Sequence, residues 1–571
     1  MKKPDGNKNA RLKSWMEFTG IASAVALAAA VSAMFSLRLD LTEDKRYTLS
    51  EPTKEILAGL KNDIFIQVYL DGDMPVPLKR LKRSVRESLD EFHIASRRKI
   101  DYEFINPYET TDAQQREQQH RYLIDKGLVP FNIQARDEEG GTSMKMIFPG
   151  MILNSNGTEI AVNFLNNNQA VPYEQNILHS QEGLEYNLIQ TIKTIDADTI
   201  YKVAFIEGHG ELPEIETADI TMSLARFFTI DRGIINGNPG VLDSYSAVIV
   251  AGPENSFSEA DKLVLDQYIM HGGKVLWLCE EVSVNADSLA TGSTLGMYRP
   301  LNLEDMLFAY GARINPLIVQ DIECQAIRLM VMSGGARQQV VPAPWVYYPL
   351  LSASGNHPVT RNLNRVKGEF VNYIDTVGLD GAIRKQTLLH TSQFTRTISP
   401  PVVISLKEAE TIPSESEFNR QNLPVAVLLE GKFRSAFSNR PVAMISGNSS
   451  FRFLDRSAGT KMIVVADADI IRNEVSHAGG HETPLRLGVD KYTGQVFGNK
   501  DFIVNCINWL VDDSGIMELR SRELKQRLLN QARVRNEKVK WQVINTAGPL
   551  ILLLLAGLLF GYMRKRKYAK A

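Results

Sequence analysis

The side chains best suited to chemistry surround a Gly-His-Gly turn that follows an apolar segment. Residues 200–206 are rich in β-branched and aromatic side chains, a composition typical of a buried strand. The two glycines let the chain turn sharply and leave Glu207, His209 and Glu211 at the end of that strand. Imidazole and carboxylate groups can bind a metal ion or act in general acid–base catalysis.

A second acidic pair, Asp467 and Asp469, follows the apolar segment 462–466. If both segments are strands of one parallel sheet, the two groups share its carboxyl edge. Open α/β sheets bind their ligands at that edge. We therefore take Glu207, His209, Glu211, Asp467 and Asp469 as candidate ligand-binding residues.

The sequence lacks the motifs of common catalytic and nucleotide sites. It contains no Gly-x-Ser-x-Gly or Gly-x-Cys-x-Gly turn and no Gly-x-x-x-x-Gly-Lys-Ser/Thr loop. The simpler interpretation of the turn is that its glycines shape the backbone while the histidine and carboxylates cap the next helix. We predict no catalytic residue, no metal ion and no cofactor. The alternative is a membrane-tethered, metal-dependent hydrolase or sugar-binding enzyme that uses the Gly-His-Gly-Glu turn.

Two α/β domains are expected to position these groups. Within residues 50–197 the apolar segments follow the order βαβα, then further strands and a helix, which is the order of a thioredoxin-like domain. The three cysteines, Cys279, Cys324 and Cys506, form no Cys-x-x-Cys motif, so thiol–disulfide exchange is excluded.

Residues 198–512 predict a second α/β domain that contains both candidate groups. Its alternating strands and helices favour a parallel sheet with helices on both faces. An irregular, strand-rich insertion is expected at about 314–440. The charged residues 513–540 predict a helical stalk.

Two uncharged segments, 18–37 and 541–563, are each long enough to cross a hydrocarbon core of about 30 Å. Basic residues in the flanking tails, 1–17 and 564–571, place both termini in the cytoplasm and the domains outside. The segment 513–540 is equally basic near its end, so the N-terminus carries this argument. A cleavable signal peptide is the alternative for the first segment. Overall charge is balanced, with 64 basic and 66 acidic residues, and nothing indicates nucleic-acid binding.

Several motifs in one order resemble a known family. They are the Gly-His-Gly-Glu turn, the Leu-Leu-Glu-Gly-Lys-Phe-x-Ser segment at 428–435 and the Asn-x-Asp-Phe…Asn-x-x-x-Trp-Leu segment at 499–510. In this order the chain resembles, over nearly its whole length, the gliding-motility-associated ABC transporter auxiliary proteins of the GldG type.

The resemblance implies a non-enzymatic, extracytoplasmic component of a Bacteroidetes-type ABC complex. The partners it implies are a separate permease and a separate ATPase, together with an unknown glycan, polypeptide or other substrate. It places the protein in the inner membrane with its large domains in the periplasm. It also implies that residues from about 200 onward form a GIFT-type domain with a flavodoxin-like core.

Overall fold

The computed structural model describes twelve stretches of the chain. They are residues 15–16, 18–27, 48–109, 112–136, 142–165, 172–197, 200–333, 337–378, 381–411, 414–446, 452–521 and 531–568. The chain forms two compact units. Residues 1–46 and 523–571 belong to one unit, and Tyr47–Arg522 forms the other. Helix α1 (Phe18–Leu27) lies in the smaller unit.

The first part of the larger unit is a mixed α/β layer. Its elements are α2 (Glu51–Ala58), β1 (Ile64–Val68), α3 (Val76–Ala95), β2 (Ile100–Phe104), α4 (Ala113–Asp125), β3 (Phe131–Arg136), β4 (Thr142–Ile147), β5 (Gly150–Ser155), β6 (Thr158–Asn163), α5 (Tyr173–Glu182) and α6 (Leu184–Ile195). The sheet order is β2-β1-β5-β6, and β3 and β4 form a separate hairpin. Strand β1 is parallel to β2 and antiparallel to β5.

The apolar stripe of α3 packs into the core as its helical spacing requires. Leu81, Val85, Leu89 and Phe92 recur at helical spacing on α3 and have no exposed surface. They join a core formed with α5, α6 and the four-stranded sheet.

The second part of the larger unit begins at β7 and contains the remaining elements of that unit. These are β7 (Lys202–Glu207), α7 (Ala218–Leu224), β8 (Thr229–Ile234), β9 (Ala247–Ala251), α8 (Glu259–Met270), β10 (Val275–Leu278), β11 (Val282–Val284), β12 (Ser293–Tyr298), α9 (Glu304–Tyr310), β13 (Ala312–Asn315), β14 (Ile318–Asp321), β15 (Cys324–Ser333), β16 (Arg337–Ala353), β17 (Val366–Lys367), β18 (Tyr373–Thr376), β19 (Ile383–His390), β20 (Thr395–Ile398), β21 (Val402–Ser405), β22 (Pro424–Gly431), α10 (Val442–Ser446), β23 (Thr460–Val465), β24 (Val475–Ser476), β25 (Thr483–Pro484) and α11 (Asn499–Val511).

A ten-stranded sheet organises this part, with the path β15-β16-β19-β22-β23-β10-β9-β7-β8 and β17 paired to β16. Strands β8, β7, β9, β10 and β23 are mutually parallel. In chain order, these five strands stand second, first, third, fourth and fifth. Strand β22 then pairs antiparallel to β23 and starts an antiparallel extension.

Both faces of the parallel strands are buried, as alternating side chains show. Val203 and Phe205 of β7 belong to one core, whereas Ile206 belongs to the core on the opposite face. Helices α7 and α11 cover the first face, and α8 and α9 cover the second. This matches the predicted parallel sheet with helices on both sides.

The predicted insertion at 314–440 is joined to the main sheet by its own strands. Strands β15, β16, β19 and β22 lie in this range, and all four extend the ten-stranded sheet. Their direction could not be read from composition, because antiparallel pairing depends on partners distant in the chain.

The chain after α11 differs from the predicted stalk. Residues Ile516–Ser521 form a short 3₁₀ helix inside the larger unit. Ile516 and Met517 are fully buried in the core of the first part of this unit. The charge of 513–540 predicts a helical stalk, but these two residues belong to the core.

One described helix is long and apolar enough to cross a membrane. It is the stretch Val534–Arg566 of α12 (Gln531–Tyr568), and it is not buried within the structure. Helix α1 covers only part of the first predicted span, 18–37, and the rest of that prediction falls outside the described residues.

Candidate functional site

The Gly-His-Gly turn follows β7 at the carboxyl edge of the parallel strands. Gly208 and Gly210 adopt left-handed φ angles of 111° and 75°. A Cβ on Gly210 would lie 2.8 Å from Nδ2 of Asn255, so a larger residue would displace that side chain and be strained by the left-handed φ angle. The backbone carbonyl of His209 accepts hydrogen bonds from the Glu254 and Asn255 amides, at 2.9 and 2.8 Å.

Both ring nitrogens of His209 are occupied by carboxylates of the same chain. Nδ1 lies 3.1 Å from Oε1 of Glu211, and Nε2 lies 3.2 Å from Oδ2 of Asp261. The ring stacks on Phe257 with centroids 3.7 Å apart, and His209 is 5% exposed. Burial alone would lower the pKa of His209, but the two carboxylates outweigh it and raise that pKa.

The third predicted residue of this turn, Glu207, faces a different partner. Its carboxylate accepts a hydrogen bond from Nε of Arg232 on the neighbouring strand β8, at 2.7 Å. The bonds around Glu207 and His209 therefore fix the turn to β8 and α8. The predicted capping of the next helix does not occur, because neither the 3₁₀ helix Glu214–Thr217 nor α7 has a side-chain cap bond and the carboxylate of Glu211 bonds His209 instead.

The crevice expected beside this turn is filled. In parallel sheets of this kind, ligands bind where the strand order reverses, which here is between β7 and β9. Gly252 follows β9, and a Cβ there would lie 3.1 Å from Ala468 and 3.2 Å from Leu212. The amide of Leu212 also donates to the carbonyl of Ala251 at 2.9 Å. The protein's own residues thus occupy the switch point.

Three carboxylates meet farther along the same edge, where β10 and β23 end. Glu280, Asp467 and Asp469 each place one oxygen within 4.8 Å of the others, and Asp467 has no exposed surface. We call them the acidic cluster. Glu280 follows β10, and the other two follow β23, so parallel pairing of these strands brings them together.

Backbone amides and basic side chains surround the acidic cluster. Asp467 accepts hydrogen bonds from the amides of Glu369 and Asp469, at 3.0 and 2.8 Å. Glu280 accepts one from the amide of Ala468 at 2.8 Å. Two cations lie close by. The guanidinium of Arg472 bonds Asp469 at 3.1 Å and Glu216 at 2.9 Å, and Nζ of Lys367 lies 2.7 Å from Glu369.

Burial and nearby negative charges raise the pKa of all three carboxyl groups of the acidic cluster. Burial and the nearby Asp469 charge raise the pKa of Glu280 to about 8. Burial, with the charge of Glu369, raises the pKa of Asp469 to about 6 against the opposing effect of Arg472. The pKa of Asp467 is raised well above its usual value, first by burial and then by Asp469 and Glu280.

The five predicted residues therefore form two groups rather than one. Strands β9 and β10 lie between β7 and β23, and three inter-strand spacings amount to about 14 Å. His209 and Asp467 are consequently too far apart to bind the same metal ion, because metal–ligand bonds are about 2 Å long.

The family model for an ABC-type uncharacterized transport system matches residues 201–506, more than half of the chain. The chain belongs to this family. The matched range contains both candidate groups and the whole parallel sheet. Residues 43–154 match a second model, a domain of unknown function (DUF7088).

Comparisons with curated proteins and with solved structures add little to the family assignment. No curated protein matches the chain. The solved mmIFT52 N-terminal domain is similar at 14% identity, with a TM-score of 0.31, over 55% of this chain and 98% of its own. At that TM-score the similarity does not establish a shared fold.

Sequence reasoning missed two members of these groups, Glu280 and Asp261. Glu280 stands directly after the apolar segment 274–279, in the same position as Asp467 after its strand, and this is the signal that could have identified it. Asp261 lies in the first turn of α8 and carried no such signal. The acidic cluster is the one set of residues in the described ranges whose oxygens are close enough to bind a divalent cation together.

Proposed function

We propose that this protein is a membrane-anchored, extracytoplasmic accessory subunit of an ABC transporter that acts by binding and assembly rather than catalysis. Membership of the ABC-type transport family carries the proposal. The apolar stretch Val534–Arg566 supports it, because this exposed helix has the length and composition of a membrane anchor.

The proposed partners are a permease and a separate ATPase. The sequence contains no Walker A motif, so ATP hydrolysis would come from another chain. We place the anchor in the inner membrane, with two spans, both termini in the cytoplasm and the large unit in the periplasm. The basic residues of the two tails support this orientation.

The two parts of the larger unit fit the finer fold proposals. The order β2-β1-β5-β6, with β1 parallel to β2 and antiparallel to β5, supports a thioredoxin-like domain. The order second, first, third, fourth, fifth of the parallel strands supports a flavodoxin-like core. The GIFT-type assignment and the association with gliding motility in a Bacteroidetes-type organism rest on the motif resemblance alone.

Co-purification tests the assembly proposal. The tagged full-length protein, extracted from native membranes in mild detergent, is expected to bring down a multispan permease and a P-loop ATPase, identified by mass spectrometry. A matched variant has residues 531–571 replaced by an unrelated single-span anchor, and it is expected to lose both. If the full-length protein retains neither partner, the accessory-subunit proposal is wrong.

The hydrolase alternative has less support. It requires His209 to cooperate with Asp467 and Asp469, yet His209 is held by Glu211 and Asp261. A metal analysis of the purified protein by mass spectrometry tests what remains of it. A stoichiometric divalent ion that is lost on Asp469→Asn substitution would favour this alternative.

A further inference from the structure

A polar cavity opens on the strand-rich part of the larger unit, where β19 ends and β22 begins, along the same edge of the main sheet as the carboxyl end of β23. Its volume is about 590 Å³. The lining residues are Gln393, Phe418, Asn419, Arg420, Gln421 and Leu423. Three of them, Gln393, Asn419 and Gln421, carry carboxamides. Within the described ranges, these three amides form no hydrogen bond with any other group.

A buried polar network holds the first wall of this cavity. Asp321 has no exposed surface, and its carboxylate accepts hydrogen bonds from the amide and hydroxyl of Ser392 at 2.7 and 2.5 Å. The amide of Phe394 donates to the Ser392 hydroxyl at 3.0 Å. Gln393 therefore lies between two residues, Ser392 and Phe394, whose backbone amides are both hydrogen-bonded to this network.

The second wall is tied to the first by backbone bonds. The Arg420 amide donates to the carbonyl of Thr395 at 2.8 Å, and the Thr395 amide returns a bond at 3.0 Å. The Leu423 amide donates to the hydroxyl of Thr391 at 2.9 Å. Because both walls are fixed, the backbone that carries Asn419 and Gln421 is preorganised, which lowers the entropy cost of binding.

The cavity's cation is already engaged. The Arg420 guanidinium donates to the Tyr373 hydroxyl at 3.1 Å and lies 5.6 Å from the centroid of that ring. Phe418 is only 5% exposed and Leu423 is half-buried, so polar groups supply most of the exposed lining. The groups left for a ligand are chiefly the three amides, each with two N–H donors and one carbonyl acceptor.

We propose that this cavity binds a glycan, through hydroxyl groups that donate to and accept from the carboxamides of Gln393, Asn419 and Gln421. A sugar hydroxyl is both donor and acceptor, as is a carboxamide. A peptide is the poorer fit. Peptide recognition uses apolar anchor pockets or a free strand edge, and here the backbone of Arg420 is already paired with Thr395. The inference names a ligand class for the proposed accessory subunit and rests on that proposal for its biological setting.

Saturation-transfer NMR on the full-length protein in lipid nanodiscs tests this proposal. The probes are maltohexaose, cellohexaose, laminarihexaose, xylohexaose and chitohexaose. At least one is expected to receive saturation transfer. The double variant Asn419→Ala/Gln421→Ala is expected to weaken its binding about tenfold, since each lost neutral hydrogen bond contributes about 0.5–1.5 kcal/mol.

The control is Gln339→Ala, which removes an exposed amide of β16 that does not line the cavity. Since all four amides are exposed, each variant is expected to melt like the natural protein, which separates loss of binding from loss of folding. No transfer to any of the five probes, or transfer unchanged in the double variant, overturns the proposal. Binding of an unstructured peptide mixture in place of the glycans overturns it as well. Co-purification with a permease is unaffected by either result, so the two proposals fail separately.

Discussion

At the residue scale, His209 shows how a group chosen for chemistry can serve structure. Its two ring nitrogens and its aromatic face are all in contact with the same chain. A buried histidine that bonds two carboxylates stabilises the fold most when it is charged.

Replacing His209 with alanine is expected to lower the free energy of unfolding by about 2–4 kcal/mol at pH 6, because Glu211 and Asp261 lose their partner. The pKa of His209 is raised in the folded protein. Its contribution is therefore complete below the unfolded pKa of about 6.5 and is lost as pH rises through the folded value. Urea unfolding at pH 6 and pH 9 measures this. The exposed His481→Ala serves as the control, and a loss that does not shrink at pH 9 contradicts the charged state.

Glu280, unlike His209, is expected to stabilise the fold in its neutral form. Burial raises the pKa of Glu280 in the folded protein to about 8, above the ordinary value for a glutamate, so the carboxyl contributes stability below the unfolded pKa and loses it as pH rises towards 8. Glu280→Gln keeps the acceptor for the Ala468 amide and removes the charge. At pH 9 this variant is expected to melt about 2–4 °C above the natural protein, and at pH 4.5 to melt equally.

The matched control for Glu280 is Glu410→Gln, a change at an exposed carboxylate. Thermal unfolding followed by circular dichroism across this pH range supplies the measurement. If Glu280→Gln instead destabilises the protein at pH 9, then Lys367 and Arg472 keep the cluster fully charged, and the proposed protonation is wrong.

At the element scale, strands with continuous apolar character could be predicted, and edge strands could not. The apolar segments 200–206 and 462–466 predict β7 and β23 to within two residues. Strand β8 was missed, because Asp231, Arg232 and Gly233 interrupt its apolar pattern. It is an edge strand, where charged residues are common.

The site could be predicted only in part, because some of its contacts join segments that are far apart in the sequence. Asp467 and Asp469 could be picked from their place after a strand. Their neighbour Glu280 depends on the parallel pairing of β10 with β23, nearly two hundred residues apart in the sequence. The partner of His209 on α8, Asp261, depends on how a helix packs across the sheet. Neither contact has a local signature.

The segment after α11 joins the two parts of the larger unit. Ile516 and Met517 are buried in the core of the first part of this unit. The Arg520 guanidinium lies 5.2 Å from the centroid of the Tyr186 ring and donates to the carbonyl of Pro358 at 3.1 Å. Arg520 thus contacts both parts of the unit.

Met517→Ala is expected to cost about 2–5 kcal/mol of unfolding free energy, since it leaves a cavity in a fully buried site. Urea unfolding measures the loss, and Glu518→Ala at the exposed neighbouring position is the control. Limited proteolysis near residue 522 is expected to accelerate in the Met517 variant only. An unchanged unfolding midpoint would mean that this segment does not stabilise the first core.

At the scale of the whole molecule, membership of a transport family and the apolar helix α12 lead to a prediction of membrane topology. The domains and the two tails should lie on opposite sides of one membrane. The native cysteines help to test this, because Cys279 and Cys506 are fully buried and Cys324 can be replaced by serine. Single reporter cysteines can then be added at exposed positions.

Met444→Cys, at a side chain that is 83% exposed, is expected to react with a membrane-impermeant maleimide in spheroplasts. Arg564→Cys, in the basic tail directly after the uncharged segment 541–563, is expected to react only after detergent lysis. Lys8→Cys should behave like Arg564→Cys if the first segment is an uncleaved span, and its label should be absent from the mature protein if that segment is a cleaved signal. Labelling of Arg564→Cys without labelling of Met444→Cys in intact spheroplasts would reverse the orientation that the basic tails predict. Equal labelling of Met444→Cys and Arg564→Cys before lysis would mean that α12 does not cross the membrane.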